Sequence, residues 1–241
     1  MKWGINVNKI ERKEKKYILN IQEARILEKD IKKIMSMDKY SGENGYIVRT
    51  LYFDTLNNND YEDKLSGAEV RRKIRLRVYG TDSNYAILEL KQKQGENQLK
   101  KSAMLEKKDA IELINQNYSC LLRYENDFMT ECFALMNMYC YRPKVVVQYN
   151  RKPYVIKENK IRITFDSNII GTEVNYNIFD NNLNLYPIFD YDKVILEVKY
   201  NGFLLSYITD ILDNINYSEN SISKYCLSRK ITQKYIYYIN N

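Results

Sequence analysis

Arginine, lysine and glutamate alternate with apolar residues along two consecutive segments of the chain. Arg75 and Arg77 stand two residues apart, and Glu89, Lys91 and Lys93 repeat this spacing. Every second side chain of a β-strand points to the same face, so both segments predict strands with one charged face and one apolar face. Arginine binds phosphate oxygens through a planar fork and lysine binds them as a point charge. The charged faces therefore suit a chain of phosphate groups.

The same charged phase recurs elsewhere in the sequence, at Glu14-Lys15-Lys16, Tyr149-Asn150-Arg151, Arg162-Ile163-Thr164-Phe165-Asp166 and Glu197-Val198-Lys199. If these faces line a closed tunnel, the converging cations require a polyanion and metal ions for neutralisation. The glutamates would then hold a divalent ion that bridges phosphates. Glu197 is the first choice for this ligand, and Glu14 and Glu89 are second choices.

This interpretation makes a prediction about orientation. A solvated strand face explains any single arginine or lysine better than an enclosed one does, whereas two successive strands with one phase fit either kind of surface equally well. We expect the following side chains to point into one lumen: Arg75, Arg77, Glu89, Lys91, Arg162 and Glu197.

Composition narrows the class of protein. The 241 residues are 44% hydrophobic and 29% charged, which favours one large β-rich domain over residues 1–241. The net charge of +7 indicates an anionic partner, but basic and acidic residues are interleaved, so we expect no nucleic acid partner. Because the chain lacks histidine, a bound metal must use oxygen ligands, which favours Mn²⁺ or Mg²⁺.

Two further expectations follow from the sequence. There is no apolar run near 18 residues and no leader-like segment after Met1, which predicts a cytoplasmic protein without a membrane segment. The four cysteines show no paired metal-binding spacing, so we expect buried free thiols.

Periodicity and turn residues predict the order of elements. We expect strands over residues 8–20, 45–55, 70–79, 84–94, 99–105, 144–150, 153–157, 160–166, 172–176, 185–189 and 193–200. Residues 57–59 predict a polar loop. We expect helices over 22–37, two within 107–139, one after Gly202 and one over 221–238.

Eight short motifs occur in order along nearly the whole chain, over about residues 8–235. They are Arg12-x-Glu14-x-Lys16-Tyr17, Leu51-Tyr52-Phe53-Asp54-Thr55, Arg72-x-x-Arg75-x-Arg77-x-Tyr79, Leu88-Glu89-x-Lys91-x-Lys93, Tyr149-x-Arg151, Arg162-x-Thr164-x-Asp166, Leu196-Glu197-x-Lys199 and Ser223-Lys224-Tyr225. The set resembles the polyphosphate polymerase (VTC) domain of the triphosphate tunnel metalloenzyme superfamily.

The resemblance implies an α+β fold in which an antiparallel eight-stranded β-barrel forms a tunnel flanked by α-helices. It also implies transfer of the terminal phosphate of ATP onto a growing inorganic polyphosphate chain, with Mn²⁺ or Mg²⁺. Eukaryotic relatives carry a sensor domain and membrane helices that this chain lacks, which leaves room for a separate membrane partner.

The resemblance also assigns residues by motif. The residues implied in catalysis are Lys16, Arg75, Arg77, Lys91, Arg162 and Glu197, with Glu197 as the metal ligand. Those implied in substrate binding are Glu14, Lys93, Lys101, Tyr149, Arg151, Lys199, Ser223 and Lys224. Lys100 competes with Lys101 for its assignment.

Two other functions remain open. Tunnel-fold triphosphatases usually open with Glu-x-Glu-x-Lys, whereas this chain has Arg12-x-Glu14-x-Lys16. The arginine removes a carboxylate that could orient metal or water, which disfavours hydrolysis. A polyphosphate-binding module without turnover is the second alternative, and Glu197 argues against it because a pure binder gains little from an acid among cations.

Overall fold

The computed structural model describes residues 8–9, 12–95, 97–213 and 219–230. Its strands are β1 (Asn8–Lys9), β2 (Arg12–Asn20), β3 (Ser36–Met37), β4 (Tyr46–Asp54), β5 (Val70–Tyr79), β6 (Tyr85–Gln94), β7 (Asn97–Glu106), β8 (Arg142–Val155), β9 (Arg162–Thr172), β10 (Tyr186–Pro187) and β11 (Lys193–Asn201). Its α-helices are α1 (Ile21–Ile34), α2 (Asn59–Leu65), α3 (Lys107–Ile114), α4 (Asp127–Met138), α5 (Ser206–Asp213) and a C-terminal helix over residues 224–230.

Eight long strands of the described chain form one curled antiparallel sheet. The order of pairing is β1-β7-β6-β5-β4-β8-β9-β11-β2, with β3 beside β8 and β10 beside β9. Because β1 and β2 follow each other in sequence and lie at opposite ends of this order, the N-terminal segment connects both edges of the curled sheet. The fold is therefore the expected α+β tunnel of eight antiparallel strands with flanking helices.

Strand register brings the charged residues together on the inner face. Arg75 lies opposite Glu89 on the neighbouring strand, and Glu197 lies opposite Lys16 on one side and Thr164 on the other. Because side chains alternate along each strand, the apolar residues between these positions point outwards.

Helices cover the two apolar outer faces. Helices α3 and α4 pack on β4 to β7 through a core that includes Leu76, Leu88, Leu113 and Met136. Helices α1 and α5 pack on β2, β9 and β11 around Leu27 and other buried side chains. Helix α1 begins with a capping box, in which Asn20 accepts from the backbone N–H of Glu23 and the Glu23 carboxylate accepts in return. The helices therefore pack against the outer face of the curled sheet.

A third apolar cluster fills part of the tunnel itself. Tyr52 and Tyr149 on the inner face pack with Tyr61, Ile195 and Tyr225. The rings of Tyr52 and Tyr225 lie 5.3 Å apart between centroids. The segment that carries Tyr225 therefore enters the tunnel and brings its neighbours with it.

Several sequence expectations were wrong in detail. The first helix ends at Ile34, and β3 follows it and pairs with β8. Residues 144–150 and 153–157 belong to one strand, because the pairing of β8 with β9 continues through Arg151 and Lys152. Helix α2 begins at Asn59, the last residue of the predicted loop, and was not predicted. Strand β9 runs to Thr172, after which residues 173–176 form no strand. Residues 10–11 and 231–238 of two predicted elements lie outside the described part.

Three of the four cysteines are buried free thiols, as expected: Cys120, Cys132 and Cys226. The prediction was wrong for Cys140, which is exposed and follows α4 in the left-handed conformation with φ of 50°. Among the helices that the structure describes, none has both the length and the apolar character needed to cross a bilayer.

Asp54 joins β4, α2 and the C-terminal helix. Its fully buried carboxylate accepts from the Tyr225 hydroxyl at 2.5 Å and from the backbone N–H groups of Thr55, Asp60 and Tyr61 at 2.7 to 3.0 Å. Asp54→Ala leaves these donors unpaired, and we expect it to lower the free energy of unfolding by about 2 to 4 kcal/mol. Urea denaturation measures this loss. Asp30→Ala, which removes only an exposed ion pair with Lys33, should change it by less than about 0.5 kcal/mol, and an equal effect of both substitutions would contradict the assigned role of Asp54.

Candidate active site

Glu89 on β6 lies at the centre of a group of cations, here called the Glu89 cluster. Arg75 Nε donates to Glu89 Oε2 at 2.6 Å, Arg77 lies 3.5 Å from the same oxygen, and Lys100 contacts Oε1. Burial alone would raise the pKa of Glu89, but the three cations outweigh it and hold the pKa well below its usual value of 4.5. The carboxylate is therefore ionised at neutral pH and shared by three cations.

Glu197 on β11 is the centre of a second group, the Glu197 cluster. Lys199 Nζ lies 2.7 Å from Oε2, Lys224 Nζ lies 3.1 Å from Oε1, and Arg151 lies 3.4 Å from Oε2. These cations also outweigh the effect of burial and hold the pKa of Glu197 well below its usual value. Burial lowers the pKa of Lys199 to about 8, despite the attraction of Glu197 and Glu14.

Asp166 on β9 belongs to the Glu197 cluster through shared cations. Arg151 binds it with a two-pronged contact, Nε to Oδ1 at 2.7 Å and a terminal nitrogen to Oδ2 at 2.6 Å. Lys224 Nζ lies 2.6 Å from Asp166 Oδ2. Burial alone would lower the pKa of Lys224, but Asp166 and Glu197 outweigh it and raise the pKa above its usual value. The two carboxylates thus fix Arg151 and Lys224 in place.

Glu14 contacts lysines that lie on three strands. Its carboxylate lies 3.2 Å from Lys16 Nζ, 3.2 Å from Lys91 Nζ on β6 and 3.8 Å from Lys199 Nζ. Strands β2 and β6 are not paired with each other, so the contact with Lys91 joins strands that are not neighbours in the sheet. Burial alone would raise the pKa of Glu14, but the three lysines hold it well below its usual value.

The C-terminal segment adds side chains to the lumen. Tyr149 lies between two cations, with Lys224 Nζ 4.8 Å and the Arg151 guanidinium 5.2 Å from its ring centroid. Ser223 Oγ accepts from Lys73 Nζ at 3.1 Å. Lys16 Nζ donates to the carbonyl of Ile222 at 3.2 Å. The structure therefore brings the motif Ser223-Lys224-Tyr225 to the charged strands.

Three predicted residues lie away from this centre. Arg162 shares the inner phase of β9, but it pairs with Asp38 at 3.0 Å and the Tyr46 hydroxyl at 3.2 Å at the end of its strand. Lys93 follows Lys91 in phase towards the end of β6 and is half-buried. Lys101 lies on the outer face, 2.6 Å from Glu131 of α4, so the structure does not bring it to the lumen and places Lys100 there instead.

Lys73 and Asp166 also face this site, although neither was predicted to have a role in it. Lys73 stands two residues before Arg75 in the same phase of β5, and Asp166 ends the alternation of Arg162 and Thr164 on β9. The alternation that identified the neighbouring residues therefore already contained both.

The described lumen carries an excess of positive charge. Within the part of the chain that the structure describes, the clusters and Lys73 contribute nine cations and four carboxylates. The cations are Lys16, Lys73, Arg75, Arg77, Lys91, Lys100, Arg151, Lys199 and Lys224, and the carboxylates are Glu14, Glu89, Asp166 and Glu197. An enclosed excess of this size attracts a multiply charged anion.

The donor set defines what kind of metal could bind. Among the described residues, no three acidic or cysteine side chains are grouped to hold an ion. Opposite Glu197, however, the buried Thr164 hydroxyl has no hydrogen-bond partner. Mg²⁺ and related ions often bind through one or two protein oxygens and complete their coordination with substrate phosphates and water. Glu197 and Thr164 fit an ion of this kind, held largely by the substrate.

Solved structures share this fold. A candidate adenylyl cyclase from Hippeastrum with a dominant triphosphatase activity has a TM-score of 0.54 and 12% identity, covering 90% of this chain and 94% of that one. A candidate adenylate cyclase from Bacillus halodurans has a TM-score of 0.51 and 12% identity, covering 89% and 96%. At this identity the similarity shows the fold alone, which places the chain among the tunnel-fold proteins.

The family model of the VTC domain matches residues 11–233. The chain therefore belongs to the VTC domain family, as the motifs predicted. No curated protein matches it in sequence. Membership of the VTC domain family and the basic lumen indicate a triphosphate-related function.

Replacing Glu89 tests its role as an internal counterion. Glu89→Gln leaves Arg75, Arg77 and Lys100 without their shared charge, and we expect the free energy of unfolding at pH 7 to fall by about 3 to 5 kcal/mol. Because the folded-state pKa of Glu89 is lowered, its contribution is present above the usual pKa and is lost as the pH falls through the folded-state pKa. The gap between wild type and variant should therefore narrow below about pH 4.5.

Urea denaturation at a series of pH values measures this gap. Glu131→Gln is the matched control, because its partner Lys101 lies on the outer face and the pair is partly exposed, so we expect a loss below about 1 kcal/mol. A gap that stays constant down to pH 2 would show that the Glu89 charge does not stabilise the fold.

Proposed function

We propose that this protein is a polyphosphate polymerase, an ATP-polyphosphate phosphotransferase that moves the terminal phosphate of ATP onto a growing inorganic polyphosphate chain. The observation that carries the proposal is the enclosed excess of cations, arranged on facing strands around the Glu89, Glu197 and Glu14 groups. Membership of the VTC domain family supports it.

Transfer requires that two anions meet in the lumen. A terminal oxygen of the polyphosphate chain attacks the γ-phosphorus of ATP, a new P–O bond forms, the bond to the β,γ-bridging oxygen breaks, and ADP leaves with that electron pair. Arg75 and Arg77 would bind phosphate oxygens in two-pronged contacts, while Lys16 and Lys91 would neutralise the incoming chain. Lys199 and Lys224 would offset charge that develops on the leaving oxygen.

Lumen carboxylates would prepare these cations for the substrate. Arg151 is held by Asp166 through two contacts and Lys224 by Asp166 and Glu197, so both are positioned before an anion arrives. Tyr149 and Ser223 would add hydrogen bonds to phosphate oxygens. A bound Mn²⁺ or Mg²⁺ would neutralise charge between phosphates, with Glu197 and Thr164 as its protein ligands.

Hydrolysis is the second candidate function. It is favoured by the Hippeastrum relative, whose described activity is dominantly that of a triphosphatase. Arg12 stands where the triphosphatase motif has an acid, which removes a group that could orient water. Water would replace the polyphosphate oxygen as the attacking group, so the two functions differ in whether orthophosphate or a chain is produced.

A non-catalytic polyphosphate-binding module is the third candidate. The argument from Glu197 against such a module is weaker than the sequence suggested, because lumen carboxylates also neutralise neighbouring cations. A binding module needs that neutralisation as much as an enzyme does. Turnover of ATP separates the two.

The proposal also includes a cytoplasmic location and a separate membrane partner.

Replacing Glu197 tests the metal. If Glu197 holds Mn²⁺ or Mg²⁺, Glu197→Gln should abolish turnover while ATP still binds, because the cations that contact phosphate remain. Turnover assays with ATP and Mn²⁺, together with calorimetric titration of ATP, measure the two effects. Glu112→Gln, on outer helix α3, is the control and should keep full activity. Full activity of Glu197→Gln would indicate that the metal binds to Glu14 or Glu89 and not to Glu197.

Product analysis separates synthesis from hydrolysis. We expect ATP with Mn²⁺ to give ADP and long polyphosphate on a gel, with little free phosphate. Arg75→Ala should cost about 2 to 4 kcal/mol of transition-state stabilisation, a factor of roughly 30 to 1,000 in rate. Lys32→Ala, which removes an exposed side chain of helix α1, should have little effect. Orthophosphate as the main product, without a ladder of chains, would assign the protein to the triphosphatases.

A further inference from the structure

Lys73 differs from the other cations of the described lumen in its surroundings. Its Nζ donates to Ser223 Oγ at 3.1 Å and lies 5.7 Å and 5.9 Å from the ring centroids of Tyr52 and Tyr225. Within the described chain, no carboxylate forms an ion pair with it, whereas the cations of the Glu89 cluster, of the Glu197 cluster and around Glu14 each have such a partner. No carboxylate of the described chain therefore contacts Lys73 and neutralises its charge.

The direction of the side chain places it beside the residues proposed to bind phosphate. Lys73 shares the inner phase of β5 with Arg75 and lies opposite Lys91 in the register with β6. Ser223 connects it to the segment that carries Lys224. An anion bound by Arg75, Lys91 or Lys224 would therefore lie near Lys73 and Ser223. The amine and the hydroxyl of these two residues can each form further hydrogen bonds.

We propose that Lys73 and the Ser223 hydroxyl form a further phosphate-binding position in the lumen. The inference rests on the proposed function, because it extends the same anion site. The ammonium would donate to a phosphate oxygen, and the Ser223 hydroxyl, which already accepts from Lys73, would donate to the same or a neighbouring oxygen.

The charge environment gives this position a measurable property. Burial, together with the nearby Lys16, Arg75 and Lys91, lowers the pKa of Lys73 to about 7 against a raising effect of Cys226. Asp60 of α2 also attracts it, and Tyr52, Ser223 and Tyr225 complete its surroundings. A phosphate group beside the amine raises its pKa. Binding at pH 7 to 8 should therefore be accompanied by uptake of a proton by Lys73.

Titration calorimetry with inorganic tripolyphosphate tests this position without requiring turnover. Measurements at pH 7.5 in two buffers with different ionisation enthalpies give the number of protons taken up on binding. Lys73→Arg keeps a positive charge but cannot gain a proton, so it should bind tripolyphosphate and take up fewer protons than wild type, by roughly half to one per site. The ligand changes its own protonation in both proteins, so the difference belongs to Lys73.

Affinity provides the second measurement. Lys73→Met removes the donor and should weaken tripolyphosphate binding by about 10- to 100-fold, as expected for a hydrogen bond to a charged group. Lys152→Met, whose ion pair with Glu28 lies on the outer face, should bind as wild type. A purely structural role for Lys73 would change the urea midpoint of the unliganded protein but would leave proton uptake equal in wild type and Lys73→Arg.

The outcomes separate this inference from the proposed function. If wild type does not bind tripolyphosphate, the proposed function fails and the inference with it. If wild type binds it, and Lys73→Arg takes up the same number of protons, the inference is overturned while the anion site stands. Should Lys73→Met fail to fold, the comparison of wild type with Lys73→Arg still decides.

Discussion

Repulsion between buried cations is the constraint on which the rest of the molecule depends. Removing many cations from water is costly unless each has a partner. Four carboxylates provide these partners for most of the cations, because one carboxylate can contact several of them. Glu89 and Glu197 each contact three cations. The fold can therefore form before a substrate arrives. The substrate then competes with these carboxylates for the same cations, and the cations that it gains are already in position.

The alternating phase of the strands makes such an interior compatible with a stable protein. Residues between the charged positions, such as Leu76 and Leu88, belong to the outer core against α3 and α4. A shift of one residue in register would exchange the two faces and bury the charges under the helices. Outer packing therefore fixes the register that brings the counterions together, and the counterions in turn permit the charged face to be enclosed.

This coupling explains which parts of the structure could be predicted from the sequence. The phase of Arg75, Arg77 and Glu89 follows from spacing alone, so the strands and their inner face were predictable. Two consecutive lysines point to opposite faces of a strand, so their spacing does not show which one faces the lumen. The choice between Lys100 and Lys101 depends on the hairpin that pairs Lys91 with Lys100. The position of Lys224 depends on packing between distant segments, which periodicity does not contain, and only the resemblance pointed to it.

The net charge of the lumen limits how much negative charge it can accept. With every group ionised, the described clusters and Lys73 carry a net excess of five positive charges, and one triphosphate carries about four negative charges. A divalent ion that arrives with the nucleotide adds two more positive charges, so a single triphosphate does not saturate the interior. Capacity for a second anion is what polymerisation needs and hydrolysis does not. Lys73, whose pKa is lowered to about 7, would reach the full charge counted here once an anion binds beside it, as proposed above.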